Sequence, residues 1–313
     1  MTKNSKSLHP LFGWRKSLTI MRNRWQMYVL VLPAIIYVLI FNYFPIYGLQ
    51  IAFKNYRTSL GIWGSQWVGL KHFIKFINLP VFWDLIRNTL TITLYSLMTF
   101  PLPVIFALML NEVYNAKFKK IVQMVSYAPH FISTVVLCSM LTLFLNQSSG
   151  VLNSILVMLG FERTDFLSNP AYFSSIVVWS GVWQELGWNS IIFLSALSGV
   201  SMELIEAARI DGASRMQIIR HVNLPTILPT VVILLIMRCG SLLSLGFEKI
   251  YLLQNPLNLE ASRVISTYVY ELGLLGGQFS LSSAIGLFNT TVNVIMLFIV
   301  NSIAKRVTEI SLW

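Results

Sequence analysis

Charge is what this 313-residue sequence has least of: Asp, Glu, Lys and Arg make up 11% of it, with 12 acids against 23 basic residues. A water-soluble domain covers itself with about a quarter charged side chains, so that class is excluded. Other absences narrow the function. No Gly-Lys dipeptide occurs, so the phosphate loop G-x-x-x-x-G-K-[ST] is missing and the chain does not bind ATP in that way. The four histidines, His9, His72, His130 and His221, are scattered, and neither H-E-x-x-H nor G-x-S-x-G appears. No catalytic or metal-binding set is expected. The two cysteines, Cys138 and Cys239, fall in apolar runs without metal-ligand spacing and read as packing residues. No small-residue cleavage site follows the first apolar run, which is too long for a signal peptide, so the first helix is expected to stay.

What is present is apolar: 55% of residues are hydrophobic and the mean hydropathy is +0.67. Runs free of charge cover 25–53, 88–111, 121–161, 166–184, 186–202, 221–237 and 272–304. About 20 apolar residues rising about 1.5 Å each cross a hydrocarbon core of about 30 Å. The expectation is an all-α polytopic membrane protein with six transmembrane helices. They are placed at Tyr28–Tyr47, Asn88–Leu110, Ile121–Leu145, Ala171–Leu197, Thr226–Phe247 and Leu281–Ile303. The 121–161 run reads as one span, because Asn146 to Gly150 breaks it and Val151–Phe161 is too short for another; that remnant is assigned to the surface.

Basic residues orient these spans. Lys3, Lys6, Arg15, Lys16, Arg22 and Arg24 precede the first helix with no acid among them, and the positive-inside bias puts both termini in the cytoplasm. The first outside loop opposes that bias, with Lys54, Arg57, Lys71, Lys75 and Arg87 against the single acid Asp84. Its aromatic residues Phe53, Tyr56, Trp63, Trp67, Phe73, Phe76 and Trp83 suit contact with another protein or packing on the membrane equally well. The chain divides into a basic N-terminus (1–27), the first helix and outside loop (28–87), a five-helix core (88–304) containing a cytoplasmic loop (198–225), and a C-terminal tail (305–313). No basic cluster accompanies a soluble domain, so a nucleic-acid partner is excluded.

The 198–225 loop carries the sharpest motif, EAARIDGASRMQIIRHVNLP from Glu206 to Pro225. Ser201 is positioned to cap a helix with Glu203 and Glu206 in its early turns. Asp211-Gly212 breaks that helix, and a second, Ser214 to His221, is expected to stop at Pro225. The small residues Ala207, Ala208, Gly212 and Ala213 allow another backbone to approach, and Glu206 and Asp211 offer charges for pairing. At 28 residues the loop is long for a plain helix connection.

This segment resembles the cytoplasmic coupling motif of bacterial ABC importer permeases, matched at Glu206, Ala207, Ala208, Asp211, Gly212, Ala213, Leu224 and Pro225. Further passages resemble the permeases for complex-carbohydrate and oligosaccharide uptake: FNYFPIYGLQIAFKNY from Phe41, WVGLKHF from Trp67, YAPHFIST from Tyr127, GFEKIYLLQNPLN from Gly246, VISTYVY from Val264, and the final Ser311-Leu312-Trp313. The resemblance implies a type I ABC importer permease architecture in a bacterial cytoplasmic membrane, with the elbow docked on an ATPase. It implies as partners a second homologous permease, two ATPase subunits, an extracellular solute-binding protein and an oligosaccharide substrate. It also implies no cofactor in this chain, ATP and Mg being bound by the ATPase. An ion-coupled secondary sugar transporter is the alternative class, since intramembrane charges and interrupted helices suit one too.

Glu185 and Arg238 are the ionised residues well inside the predicted spans, each 12 residues from the cytoplasmic end of its span, roughly 18 Å deep. Leaving either unpaired there is costly, so mutual pairing is the first expectation and sugar contact the second. Trp188 and Asn189 follow Glu185 on one face and suit a sugar ring and its hydroxyls. Asn289 and Asn293 share a face of the sixth span, as pathway lining or as glue between helices.

Overall fold

A computed structural model describes residues 24–313. Lys3, Lys6, Arg15, Lys16 and Arg22, which carried most of the orientation argument, lie outside the described residues. Among the described residues, four helices are long and apolar enough to cross a bilayer: Trp25–Phe53, Phe82–Asn111, Arg215–Cys239 and Phe279–Thr308. Two more candidate spans are bent pairs, Ala116–Phe131 with Thr134–Phe144 at 98°, and Pro170–Leu197 with Met202–Ile210 at 78°. The elements are α1 (Trp25–Val38), α2 (Lys71–Ile77), α3 (Phe82–Met98), α4 (Pro101–Asn111), α5 (Ala116–Tyr127), α6 (Thr134–Phe144), α7 (Val151–Met158) and α8 (Pro170–Leu197). They continue as α9 (Met202–Ile210), α10 (Arg215–Ile218), α11 (Leu224–Cys239), α12 (Phe247–Leu253), α13 (Ile265–Tyr270) and α14 (Phe279–Thr308).

Two of the prolines leave the same mark. A π turn, Leu39–Tyr43, precedes Pro45, and another, Ile219–Asn223, precedes Pro225. Proline lacks an N–H and crowds the turn before it, and the wider π turn absorbs that defect without ending the helix. Contrary to the expectation from sequence, Pro225 therefore does not stop the second elbow helix; the helix runs on from Arg215 to Cys239. The fifth span also ends earlier than expected, at Cys239 rather than Phe247, which puts Arg238 in its last turn.

The third span departs most from expectation. It is not one rod but two helices meeting at nearly a right angle, because Pro129 closes the first and Ser133 caps the second, its side chain accepting from Val136 N–H at 3.3 Å. The break after it is as expected: Asn146 Oδ1 accepts from Ser148 and Ser149 N–H at 2.9 and 3.0 Å, a turn that side chains of this type favour. α7 then sits mostly exposed, held by the fully buried Asn153, which bonds backbone on both sides of it at Asn146 and Thr164.

Three apolar clusters hold the helices. Val104, Ala107, Phe193, Leu197 and Ile227 join α4, α8 and α11 at the elbow end. At the other end Phe173, Val177, Cys138 and Ile250 form one cluster, and Phe76, Leu85, Ile265 and Ile285 another. Both cysteines are buried and free, Cys138 inside the former cluster. The segments assigned outside meet at this end: Tyr56 N–H donates to Ser280 Oγ at 2.8 Å, Asn258 Nδ2 to Leu167 carbonyl at 2.9 Å, and Asn88 Nδ2 to Glu260 carbonyl at 2.7 Å. In the first of these loops the antiparallel pair Lys54 to Trp67 is roofed by Phe53 stacked on Trp67. Burial there holds the His72 imidazole below its ordinary value.

Candidate translocation cavity and coupling elbow

α8 organises the interior. Gly181, Glu185, Trp188, Asn189 and Ile192 recur at helical spacing along it and line one wall of a cavity of about 750 Å³. Ser96 and Thr99 at the α3–α4 joint, and Arg238 of α11, line other walls. Four of the six pathway residues named from sequence, Glu185, Trp188, Asn189 and Arg238, thus converge on one space.

The expected Glu185–Arg238 ion pair is absent. Glu185 Oε2 instead lies 3.0 Å from His130 Nδ1, whose ring stacks on Trp188 with centroids 4.1 Å apart and planes 4° from parallel. Arg238 Nη2 donates to Ser96 Oγ at 3.0 Å. The broken third span explains the change of partner. Its turn carries His130 up to α8, and Gln184 Nε2 donates to the Ile132 carbonyl at 2.8 Å, satisfying an acceptor that the break frees. Gly187 lets this turn's helix approach, since a Cβ there would collide with the Ser126 backbone on α5.

The other two named residues do not reach the cavity. Asn293 Oδ1 accepts from Leu243 N–H at 2.9 Å and its Nδ2 donates to Ser244 Oγ at 2.8 Å, so it fastens α14 to the segment after α11. Asn289 is half-buried with its Oδ1 unpaired, and lines no part of that cavity. Sequence reasoning missed two contributors. His130 stood within a passage quoted for resemblance, beside the Pro129 that signalled the break. Lys249 was assigned to an outside loop, yet its Nζ lies 3.4 Å from where a Cβ on Gly181 would sit, one turn from Glu185.

The elbow follows local rules. α9 ends in a Schellman motif: Gly212 is left-handed at φ +78, Ala213 N–H donates to Ala208 carbonyl at 2.9 Å, and Gly212 N–H to Arg209 carbonyl at 3.0 Å. Ser214 then caps α10 in a capping box with Gln217, whose Oε1 accepts from Ser214 N–H at 2.7 Å. Ser201 has the extended backbone of a cap, but its side chain makes no cap bond. Glu206, Ala207, Asp211, Gly212 and Pro225 are exposed, and Ala208 and Ala213 are half-buried. Around them Met202, Leu204, Ile210 and Met216 are exposed apolar side chains, Ile210 at 86%. From the α4–α5 connection Tyr114 reaches the elbow, its hydroxyl 3.5 Å from Arg209 Nη2 and its ring 5.2 Å from the Arg215 guanidinium carbon.

A helical multi-span membrane protein with an internal cavity and a polar elbow between its fourth and fifth spans belongs to the class of transport permeases. Residues 83–309 match the family of binding-protein-dependent transport system inner membrane components, and the chain belongs to that family. It is thus a permease subunit of an ABC importer and not the ATPase. The family match also sets aside the ion-coupled alternative. The chain is 43% identical to the polygalacturonan/rhamnogalacturonan transport system permease protein YteP of Bacillus subtilis, over 90% of this chain and 88% of the other. It is 42% identical to the protein LplB of the same organism, over 94% and 92%. Its fold matches the crystal structure of a bacterial ABC transporter that imports the acidic polysaccharide alginate, at TM-score 0.86 and 39% identity, over 94% of this chain and 99% of that one. The same transporter has also been crystallised with a periplasmic protein bound to an alginate pentasaccharide, matching with the same TM-score.

Proposed function

We propose that this subunit forms one half of the route by which an ATP-driven importer takes up oligosaccharides or polysaccharide fragments handed over by an extracellular solute-binding protein. The carrying observation is the elbow. It displays apolar Leu204, Ile210 and Met216 beside Glu206 and Asp211 on an element too polar to be buried in lipid, as a docking surface for a soluble partner would. That partner is an ATPase pair, which binds the ATP and Mg; a second homologous permease supplies the other half of the route. The elbow end faces the cytoplasm, and so do both termini. Consistent with this, the α4–α5 connection, followed by Lys117, Lys119 and Lys120 at the start of α5, lies at the elbow end, where Asn223 Nδ2 donates to Glu112 Oε1 at 3.4 Å. ATP-driven closure of the ATPases moves the elbow and, through α8 and α11, opens the cavity to the binding protein. Glu185, Trp188, Asn189 and Arg238 are the residues that meet sugar.

The test is reconstitution in liposomes with each component omitted in turn. The permease alone is expected neither to hydrolyse ATP nor to accumulate sugar, and the full assembly to do both when the loaded binding protein is added. Accumulation on a proton or sodium gradient without the ATPase would overturn the reading.

A further inference from the structure

We infer that α5 carries a binding site for anionic phospholipid: Lys117, Lys119 and Lys120 hold the negative headgroup at the elbow end, and the exposed apolar face beside them holds the acyl chains. Three ammonium groups fall within four positions at the start of α5, with no acid in its first turn. None of them has a carboxylate within 4.0 Å among the described residues. The nearest acid along the chain, Glu112, accepts instead from Asn223 Nδ2. Lys117 and Lys120, three apart on the helix, repel one another, so the cluster is costly in the chain alone. None of these residues lines the cavity.

The apolar face decides for lipid. Phe118, Ile121, Met124 and Val125 are 55–65% exposed. Lys117 and Lys120 each stand one turn before one of them, Ile121 and Met124, on the same face. Helical side chains lean towards the N-terminus of their helix, so the lysine stems run off the apolar face and carry their charges towards the elbow end, out of the hydrocarbon. Val125 lies about 12 Å beyond Lys117 along the helix, next to Ser126, whose backbone packs on Gly187 within α8. A soluble partner docked at the elbow does not reach that depth. A second permease would bury three ammonium groups, a cost that only matched acids offset. A bilayer offers both chemistries in the observed order, phosphate at the boundary and hydrocarbon beyond it, and an anionic leaflet attracts such a cluster. Only the choice of the cytoplasmic leaflet rests on the reading above; the site itself does not.

The experiment uses the assembled transporter in lipid nanodiscs with a bimane label on Met124→Cys, the two native cysteines being buried. The quencher is phosphatidylglycerol or phosphatidylcholine brominated on its acyl chains, at equal mole fraction in the same unbrominated mixture. The expected local preference for phosphatidylglycerol is at least threefold. Salt at about 0.5 M should lower it towards one by screening. K117Q/K119Q/K120Q should abolish it, and K117R/K119R/K120R, which keeps the charges, should retain it. If the triple glutamine variant fails to assemble, K120Q alone and the salt titration of the unsubstituted lysines decide. Equal quenching by the two lipids overturns the proposal and gives the lysines to an acidic surface of the ATPase. No quenching by either overturns it by showing the face covered by protein, such as the second permease. A preference that survives the glutamine substitutions also overturns it, since the selection then lies elsewhere. Both leaflets are open in a nanodisc and no transport is needed, so the result stands apart from the orientation and from the importer reading.

Discussion

At the scale of single residues, the chemistry of the cavity is set by which neighbour each charge finds. A hydrogen bond to a charged group contributes about 1.5–3 kcal/mol, about tenfold to a hundredfold in an equilibrium. Glu185→Gln and His130→Ala are therefore each expected to lower vesicle uptake by about tenfold or more. Because Glu185 and Arg238 bond different partners, exchanging them (Glu185→Arg with Arg238→Glu) should recover nothing. Recovery in that exchange, measured as initial uptake rate, would restore the ion pair that the geometry lacks. Asn293 calls for a different readout. Its Oδ1 accepts the Leu243 N–H in a buried setting, so Asn293→Ala strands a backbone donor at about 1–3 kcal/mol. The purified assembly should melt at a lower temperature while sugar affinity stays unchanged; a changed affinity at an unchanged melting point would make Asn293 a cargo contact.

Among elements, two glycines separate packing from coupling. Gly187 sits where α8 crosses α5, and a Cβ there meets the Ser126 carbonyl, which no rotamer change relieves. Gly187→Ala is expected to cost about 1–3 kcal/mol or more in overpacking and to reduce the protein found in membranes. Normal yield and thermal midpoint for that variant would show that the two helices have room to part. Gly212 differs: a Cβ meets nothing within 4 Å in this chain, and the burden of substitution is the left-handed backbone, about 1–2 kcal/mol. Gly212→Asp and Glu206→Lys should therefore insert normally yet lose stimulated ATPase activity and uptake together. Retention of both activities in both variants would remove the docking role of the elbow.

For the whole molecule, the clusters of buried side chains join α2, α3, α4, α6, α8 and α11–α14, while the most apolar stretch of the first span has none of its residues buried. That span touches the rest through its last turns, Phe44–Phe53, against α14. The two native cysteines are buried, so single engineered cysteines can report topology against a low background. Gln147→Cys, in the turn after α6, should react with a membrane-impermeant maleimide added to intact cells, and Ser214→Cys only after the membrane is opened. The reverse pattern would invert the orientation of all six spans.

Much of this architecture is written locally. Bilayer thickness and helix rise make charge-free runs of some 20 residues into spans, so their number and order follow from composition, while their ends do not: the fifth span begins at Arg215 rather than Thr226 and ends at Cys239 rather than Phe247. The elbow was legible for the same reason: Gly212, Ser214 and Gln217 act on backbone within a few residues of themselves. The bend in the third span was also written, in Pro129 and Ser133, but a charge-free run of full length outweighed them. Tertiary structure alone decided the cavity. His130 and Glu185 are 55 positions apart, and Arg238 and Ser96 are 142 apart. Both charges line one cavity, but a position along a span carries no azimuth. Which way each helix turns about its axis is set by close packing such as Gly187 on Ser126, and that rotation, with the bend it accommodates, chose the partners.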